Sequence, residues 1–172
     1  EKAQNRTYQD LLRNPTDEEN FVRMATSELY QVDLEGNKTL FKDADIYAAE
    51  SFSPDGSLLL ITTIEKPFSY MVPLSRFPQS NKVYDLEGNL VKNVLEVPLA
   101  EVLPKGFDAV RKGKRMLRWR LDLPKTLFYV EALDDGDPAV EADFRDALYS
   151  WDAPFDKEAE LLTQTKLRFA GI

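Results

Sequence analysis

The sequence predicts an all-β fold behind a short helical N-terminus, and three observations carry that prediction. From Ser27 onward the apolar residues alternate or gather in short runs, as strands require, rather than recurring at helical spacing. The pentapeptide Asp-Leu-Glu-Gly-Asn occurs twice, at residues 33–37 and 85–89, an offset of 52 positions (33 to 85). A second pattern also repeats: an aromatic closes one strand, a Pro/Asp turn follows, and an apolar strand returns.

The N-terminal segment, residues 1–26, reads as helical. Thr7-x-x-Asp10 is a variant capping pattern, with Tyr8, Leu11 and Leu12 at helical spacing. Asn14-Pro15 interrupts it, and Thr16-x-x-Glu19 is a second capping box ahead of Phe21 and Val22. Two short surface helices are expected.

Beyond them, Leu29, Gln31 and Asp33 face opposite to Tyr30, Val32 and Leu34. Asp33-Leu34-Glu35-Gly36-Asn37 then turns the chain, with Gly36 supplying a positive φ. The same turn at Asp85-Leu86-Glu87-Gly88-Asn89 sits between β-like runs. Identical turns between similar strands, at a period of about 40–60 residues, mark stacked supersecondary units. In the second pattern, Phe52-Ser53-Pro54-Asp55-Gly56 leads into residues 58–64, and Trp119-Arg120-Leu121-Asp122-Leu123-Pro124-Lys125 leads into residues 127–130. Residues 58–64 lack strict alternation, which predicts a strand covered on both faces.

These patterns predict a partial β-propeller over residues 27–172, of about three blades, incomplete at both ends. Its blade pieces cover about 27–43, 48–97 and 115–164, with the opening of a further blade at Leu167. Such ends are expected to leave apolar faces and strand edges uncovered, and a second copy of the chain is expected to pair with them as a homodimer.

Composition excludes several functions. There is no His and no Cys, so a Ser-His-Asp or Cys-His centre, a zinc finger and a disulfide framework are all ruled out for these residues. Peptide or ester cleavage by this chain alone is not expected, and no cofactor is called for. The net charge of −8 argues against a nucleic-acid partner. No apolar run approaches the roughly 20 residues of a membrane span. The chain opens on Glu1-Lys2-Ala3-Gln4, which suggests a processed protein or an excised piece and leaves the compartment unread.

A series of stretches carries a likeness to a known family. They are Arg6-Thr7-Tyr8-Gln9-Asp10-Leu11-Leu12, Ala25-Thr26-Ser27-Glu28-Leu29, Lys66-Pro67-Phe68-Ser69-Tyr70-Met71-Val72-Pro73 and Ser75-Arg76-Phe77-Pro78. They continue with Pro98-Leu99-Ala100-Glu101, Val110-Arg111-Lys112-Gly113 and the stretch from Trp119-Arg120 to Tyr129-Val130-Glu131-Ala132. In this ordered series the chain resembles the N-terminal β-propeller region of prolyl-oligopeptidase-type serine peptidases, most nearly the branch of glutamyl endopeptidases and their bacterial relatives. The resemblance implies a propeller that caps a C-terminal α/β-hydrolase domain and gates the access of peptide substrates. It implies a Ser-Asp-His triad in that other domain, and no position here matches the Gly-x-Ser-x-Gly elbow of the nucleophile. A free-standing propeller-like interaction module is the alternative. A paired-carboxylate enzyme would need two acids facing one cleft, which the sequence does not place.

Arg111, Lys112, Lys114, Arg115, Arg118 and Arg120 form the strongest charge feature in an acidic chain. They read either as a solvated strand edge or as a patch that guides acidic peptide side chains, since Arg forks bind carboxylates bidentately. Glu131, Asp134, Asp135, Asp137 and Glu141 surround Gly136 without the spacing of a calcium loop, so a solvated turn is the expectation and a metal site is not. Phe68, Tyr70, Phe77, Tyr84, Trp119, Phe128, Tyr129, Tyr149 and Trp151 are expected mainly as core, with Tyr70 and Trp151 as candidates to line a peptide groove.

Overall fold

The computed structural model describes residues 8–171. Among the described residues it is mostly β: one α-helix, one turn of 3-10 helix (Leu74–Arg76) and ten strands in three antiparallel sheets. The helix is α1 (Pro15–Ala25). The strands are β1 (Ser27–Val32), β2 (Lys38–Asp45), β3 (Tyr47–Phe52), β4 (Leu58–Ile64), β5 (Gln79–Asp85), β6 (Leu90–Val97), β7 (Lys114–Trp119), β8 (Thr126–Ala132), β9 (Asp146–Asp152) and β10 (Glu160–Thr165). β1 and β2 pair alone, β3-β4-β5-β6 form one four-stranded sheet, and β7-β8-β9-β10 form another. Within each four-stranded sheet every strand lies beside its neighbour in sequence.

By contacts the chain divides into two compact units. The first takes residues up to Ala48, Thr62–Ser80 and Glu96–Glu101; the second takes Ala49–Ile61, Asn81–Leu95 and the chain from Val102 onward. Strands of the β3–β6 sheet contribute residues to both.

In the first unit the N-terminal expectation is corrected. Thr7 lies outside the described residues, and residues 8–13 form no helix. The one helix is capped by Asn14 rather than Thr16. Asn14 is extended, its Oδ1 accepts from the Asp17 amide at 2.9 Å, and Asp17 Oδ2 accepts from the Arg13 amide at 3.0 Å. Asn14-Pro15, read as a breaker, is therefore the start signal: Pro is favoured at the first helical position, where its missing N–H costs nothing. Thr26 ends the helix in an extended conformation while its Oγ1 donates to the Val22 carbonyl at 2.7 Å. Phe21, Val22 and Ala25 pack on a cluster of Ile46, Ile64, Val72 and Phe77. Phe68 stacks on Phe77 at 5.3 Å, and Phe21 meets both rings edge-on.

The second unit is centred on Leu58, Leu60, Val83, Val94, Trp119, Leu127 and Phe155. A smaller cluster joins Phe128, Val130 and Leu148. Val83, Leu127 and Val130 are fully buried, each contributing about 1.5–3 kcal/mol relative to exposure. The non-alternating β4 lies between β3 and β5, with every residue but Thr62 buried.

The repeated pentapeptide folds the same way twice. Asp33 and Asp85 each donate an amide to the carbonyl of the Asn four residues on, at 3.1 and 3.0 Å. Each Asp carboxylate accepts from that Asn's amide, at 2.8 Å in both turns, and from its side chain, at 2.7 and 2.9 Å. Gly36 and Gly88 hold φ of 88° and 85°, where an L side chain is strained. One turn joins β1 to β2; the other joins β5 to β6.

Candidate functional site

The six basic residues of 111–120 all lie in the second unit, on β7, the edge strand of its sheet, and its flanks, but the structure does not gather them at one point. Lys112 is exposed and pairs with Asp135 at 2.8 Å. Lys114 lies over the rings of Tyr129 and Trp151, at 4.6 and 4.1 Å from their centroids. Burial depresses its ammonium pKa; Glu131, its partner across the ladder, opposes that and Lys92 adds to it. Arg115 is turned inward, 8% exposed, and donates to the fully buried Asp146. Between Arg115 and Arg118 the register shifts, with Met116 at φ 56°, and this irregularity re-aims the strand.

Past the bulge, β7 faces a different setting. Arg118 is exposed and its guanidinium rests 5.4 Å from the Phe128 ring centroid, with no ion-pair partner among the described residues. Arg120 is held by Asp122, at 3.1 and 2.5 Å, and by Ser150 Oγ at 3.1 Å. Between them Trp119 is buried and donates its indole N–H to the Ser51 carbonyl at 3.0 Å. Arg118 and Arg120 thus stand on a groove of about 710 Å³ lined by Phe52, Leu121, Phe128, Leu148 and Leu162. The groove therefore sets an apolar wall beside one guanidinium that has no ion-pair partner among the described residues, a setting in which a carboxylate can be held.

Arg111 is half-buried with no hydrogen-bond or ion-pair partner among the described residues. Burial first, and the nearby Arg115 charge second, lower its pKa.

The acidic stretch is not uniform. Asp134 is 1% exposed, whereas Asp135 meets Lys112 and Asp137 caps the Ala139 amide. Asp134 accepts from both Arg168 guanidinium contacts, 2.6 and 2.7 Å, from Arg145 at 2.7 Å and from the Gly136 amide at 3.0 Å. Arg168 also reaches Asp146 at 3.1 Å, so two buried aspartates share Arg115, Arg145 and Arg168. Arg145, Asp146 and Arg168 were not singled out from the sequence; Arg168 lies 34 positions from Asp134, and no local pattern signals such a pairing. Among the described residues no group of three or more His, Cys, Asp or Glu side chains converges as metal ligands would. Of the groove candidates named from sequence, Tyr70 is 42% exposed and bonded to Glu18, and Trp151 is half-buried with its indole N–H on the Lys157 carbonyl. Neither lines the groove at Arg118.

The chain is similar over nearly its whole length to two curated proteins. It is 38% identical over 171 residues, 98% of this chain, to a protein of Oryza sativa subsp. japonica named "Probable glutamyl endopeptidase, chloroplastic". It is 36% identical over 172 residues to a protein of the same name from Arabidopsis thaliana. The chain spans 18% of the length of each. No family model and no solved structure matches it.

Proposed function

We propose that this chain is part of the β-propeller of a serine peptidase of the prolyl-oligopeptidase type, related to glutamyl endopeptidases. In this reading the peptidase chemistry belongs to an α/β-hydrolase domain elsewhere in a longer protein, and the propeller limits which peptides reach it. The similarity to the two peptidase-named relatives, spread over nearly all of this chain yet only 18% of theirs, carries the reading. Two successive four-stranded antiparallel meanders support it, since each has the make-up of a propeller blade. In this reading the exposed Arg118 of β7 draws acidic peptide side chains toward the cavity, a role its guanidinium over Phe128 supports.

The chain itself has no imidazole to activate a serine. A fluorophosphonate that labels activated serines should leave the 172-residue chain unmodified and should label the longer protein once. The longer protein should also cleave short peptides and spare folded proteins that contain the same bond. Labelling of a serine in this chain, or equal cleavage of folded proteins, would overturn the proposal.

A further inference from the structure

Four guanidiniums gather around two carboxylates in the second unit. Asp134 and Asp146 are buried, 1% and 0% exposed, and they accept from Arg115, Arg145 and Arg168. Arg111 joins them through its backbone. The Val110 amide donates to the Gly136 carbonyl at 3.0 Å. Gly136 in turn lies so close to Val110 and Arg111 that a Cβ on it would come within 2.1 Å of the Val110 carbonyl oxygen. Arg111 therefore leaves the chain beside the turn that carries Asp134, yet its half-buried side chain meets no carboxylate among the described residues. The other acids of that turn are engaged: Asp135 with Lys112 at 2.8 Å, and Asp137 with the Ala139 amide at 2.9 Å.

Arg115 is also short of acceptors. One terminal nitrogen donates to Asp146, and the other reaches only the Met116 sulfur at 3.6 Å, a weak acceptor. Its Nε is buried with no partner among the described residues, in a side chain whose residue is 8% exposed. A buried donor left without an acceptor is costly. The Arg115 charge adds to burial in lowering the Arg111 pKa, so the two cations feel each other. The cluster thus carries an excess of two positive charges within a chain of net charge −8. Partly desolvated charge of one sign calls for a counter-charge.

We propose that Arg111 and Arg115 hold a small tetrahedral oxyanion of the phosphate class, with Arg111 as the outer fork and Arg115 Nε as the inner donor. Guanidinium forks match phosphate oxygens in geometry and charge. A dianion offsets the whole excess of two, whereas one carboxylate offsets half of it. None of the residues lining the groove at Arg118 belongs to this site. The proposal does not depend on the peptidase reading.

Titration of the 172-residue chain with inorganic phosphate, at ionic strength held constant with sodium chloride, tests this by NMR of the arginine Nε–H groups. The Arg111 and Arg115 signals should shift to saturation, and Tm should rise with phosphate, since a ligand of the folded state stabilises it. Arg111→Met should weaken binding about 10-fold. Without phosphate it should keep the parent's Tm, because the Arg111 side chain makes no hydrogen bond or ion pair with the described residues. Lys112→Met removes a neighbouring charge already paired with Asp135 and should bind phosphate as the parent does. Acetate should bind less tightly than phosphate. Glycerol phosphate beside inorganic phosphate separates the two sources of this group: tighter binding of the ester assigns an esterified ligand, and tighter binding of the free ion assigns inorganic phosphate. Absence of a shift, or shifts that never saturate, overturns the proposal. Equal weakening in Arg111→Met and Lys112→Met also overturns it, in favour of an anion drawn by the basic run at large. Acetate binding as tight as phosphate overturns it as well, since a single carboxylate would then suffice.

Discussion

Lys125 Nζ lies 3.5 Å from Asp55 Oδ2, and the Asp55 amide donates to the Pro124 carbonyl at 3.3 Å. The two residues sit in the β3–β4 and β7–β8 turns, so the first turn of one meander is joined to the first turn of the next. Asp55 also organises its own turn, accepting from Ser53 Oγ and Ser57 Oγ at 2.8 Å each. Partial burial works against its charged form, but the bonds from Ser53 and Ser57 and the Lys125 charge prevail and hold its pKa at about 2. A carboxyl whose folded pKa lies below its unfolded value stabilises fully above the unfolded pKa, and that contribution fades as pH falls through the folded one. Asp55→Ala should therefore lower Tm at neutral pH and flatten the fall in stability between about pH 4 and about pH 2. Lys125→Met, which removes only a half-exposed ion pair, should have a much smaller effect. Equal Tm shifts for the two variants would show that the turn bonds contribute nothing.

The buried charge network predicts a larger loss. Arg168 supplies two of the contacts to Asp134 and also bonds the Asp146 carboxylate and the Asp108 and Arg145 carbonyls. Removing Arg168 strips two bonds from Asp134 and one from Asp146, leaving Arg145 and Arg115 as their remaining cations, and the loss is about 3 kcal/mol, the low end for a broken buried pair. Arg168→Met should lose that much in urea unfolding. Burial opposes ionisation of Asp134, but the bonds from Arg168, Arg145 and the Gly136 amide outweigh it and hold its pKa below the usual carboxylate range. The network's stability should thus be present above about pH 4 and be lost below it. A loss under about 1 kcal/mol for Arg168→Met, the range of exposed pairs, would mean the network is solvated after all.

The difference between those two cases shows what the sequence made legible. The turns were readable because each is written in consecutive residues: a Gly where φ must be positive, and an Asp that bonds the backbone just ahead. The strands were readable because period and burial agree, as in β4. The helix start was misread because Asn14-Pro15 is both a break and a cap, and only the extended conformation of Asn14 decides between them. The partition of the basic segment was not readable. A single irregularity at Met116 sends Arg115 inward to Asp146 and leaves Arg118 outward on Phe128, and nothing in the residue types announces it.

Tyr129 should titrate late. It is 5% exposed, stacked on Tyr149 at 5.1 Å, and burial first, then the Glu131 charge and Tyr149, push its pKa up to about 12. A raised folded pKa gives stability that is complete below the unfolded value, near 10, and lost as pH rises through the folded one. Alkaline difference spectra should show Tyr129→Phe lacking one tyrosinate that appears near pH 12 in the parent chain. Loss of a transition near pH 10 instead would place this phenol in water.

The last prediction concerns Arg118 in the longer protein. Its guanidinium is exposed over Phe128 and lacks an ion-pair partner among the described residues, so its charge is available to a passing carboxylate. Lys112 is as basic but already faces Asp135 at 2.8 Å, and it serves as the control. If Arg118 guides acidic peptides, Arg118→Glu replaces attraction with repulsion, and kcat/KM for peptides rich in Asp and Glu should fall about 10-fold. Neutral peptides of equal length should change far less, because the groove's apolar wall is intact. Lys112→Glu should leave the ratio of the two substrates close to that of the parent. The acidic-to-neutral gap for Arg118→Glu should shrink as salt is added, since the screening length falls to about 10 Å at 0.1 M ionic strength. An equal loss for acidic and neutral peptides, unchanged by salt, would mean that Arg118 only packs on Phe128 and takes no part in drawing substrate.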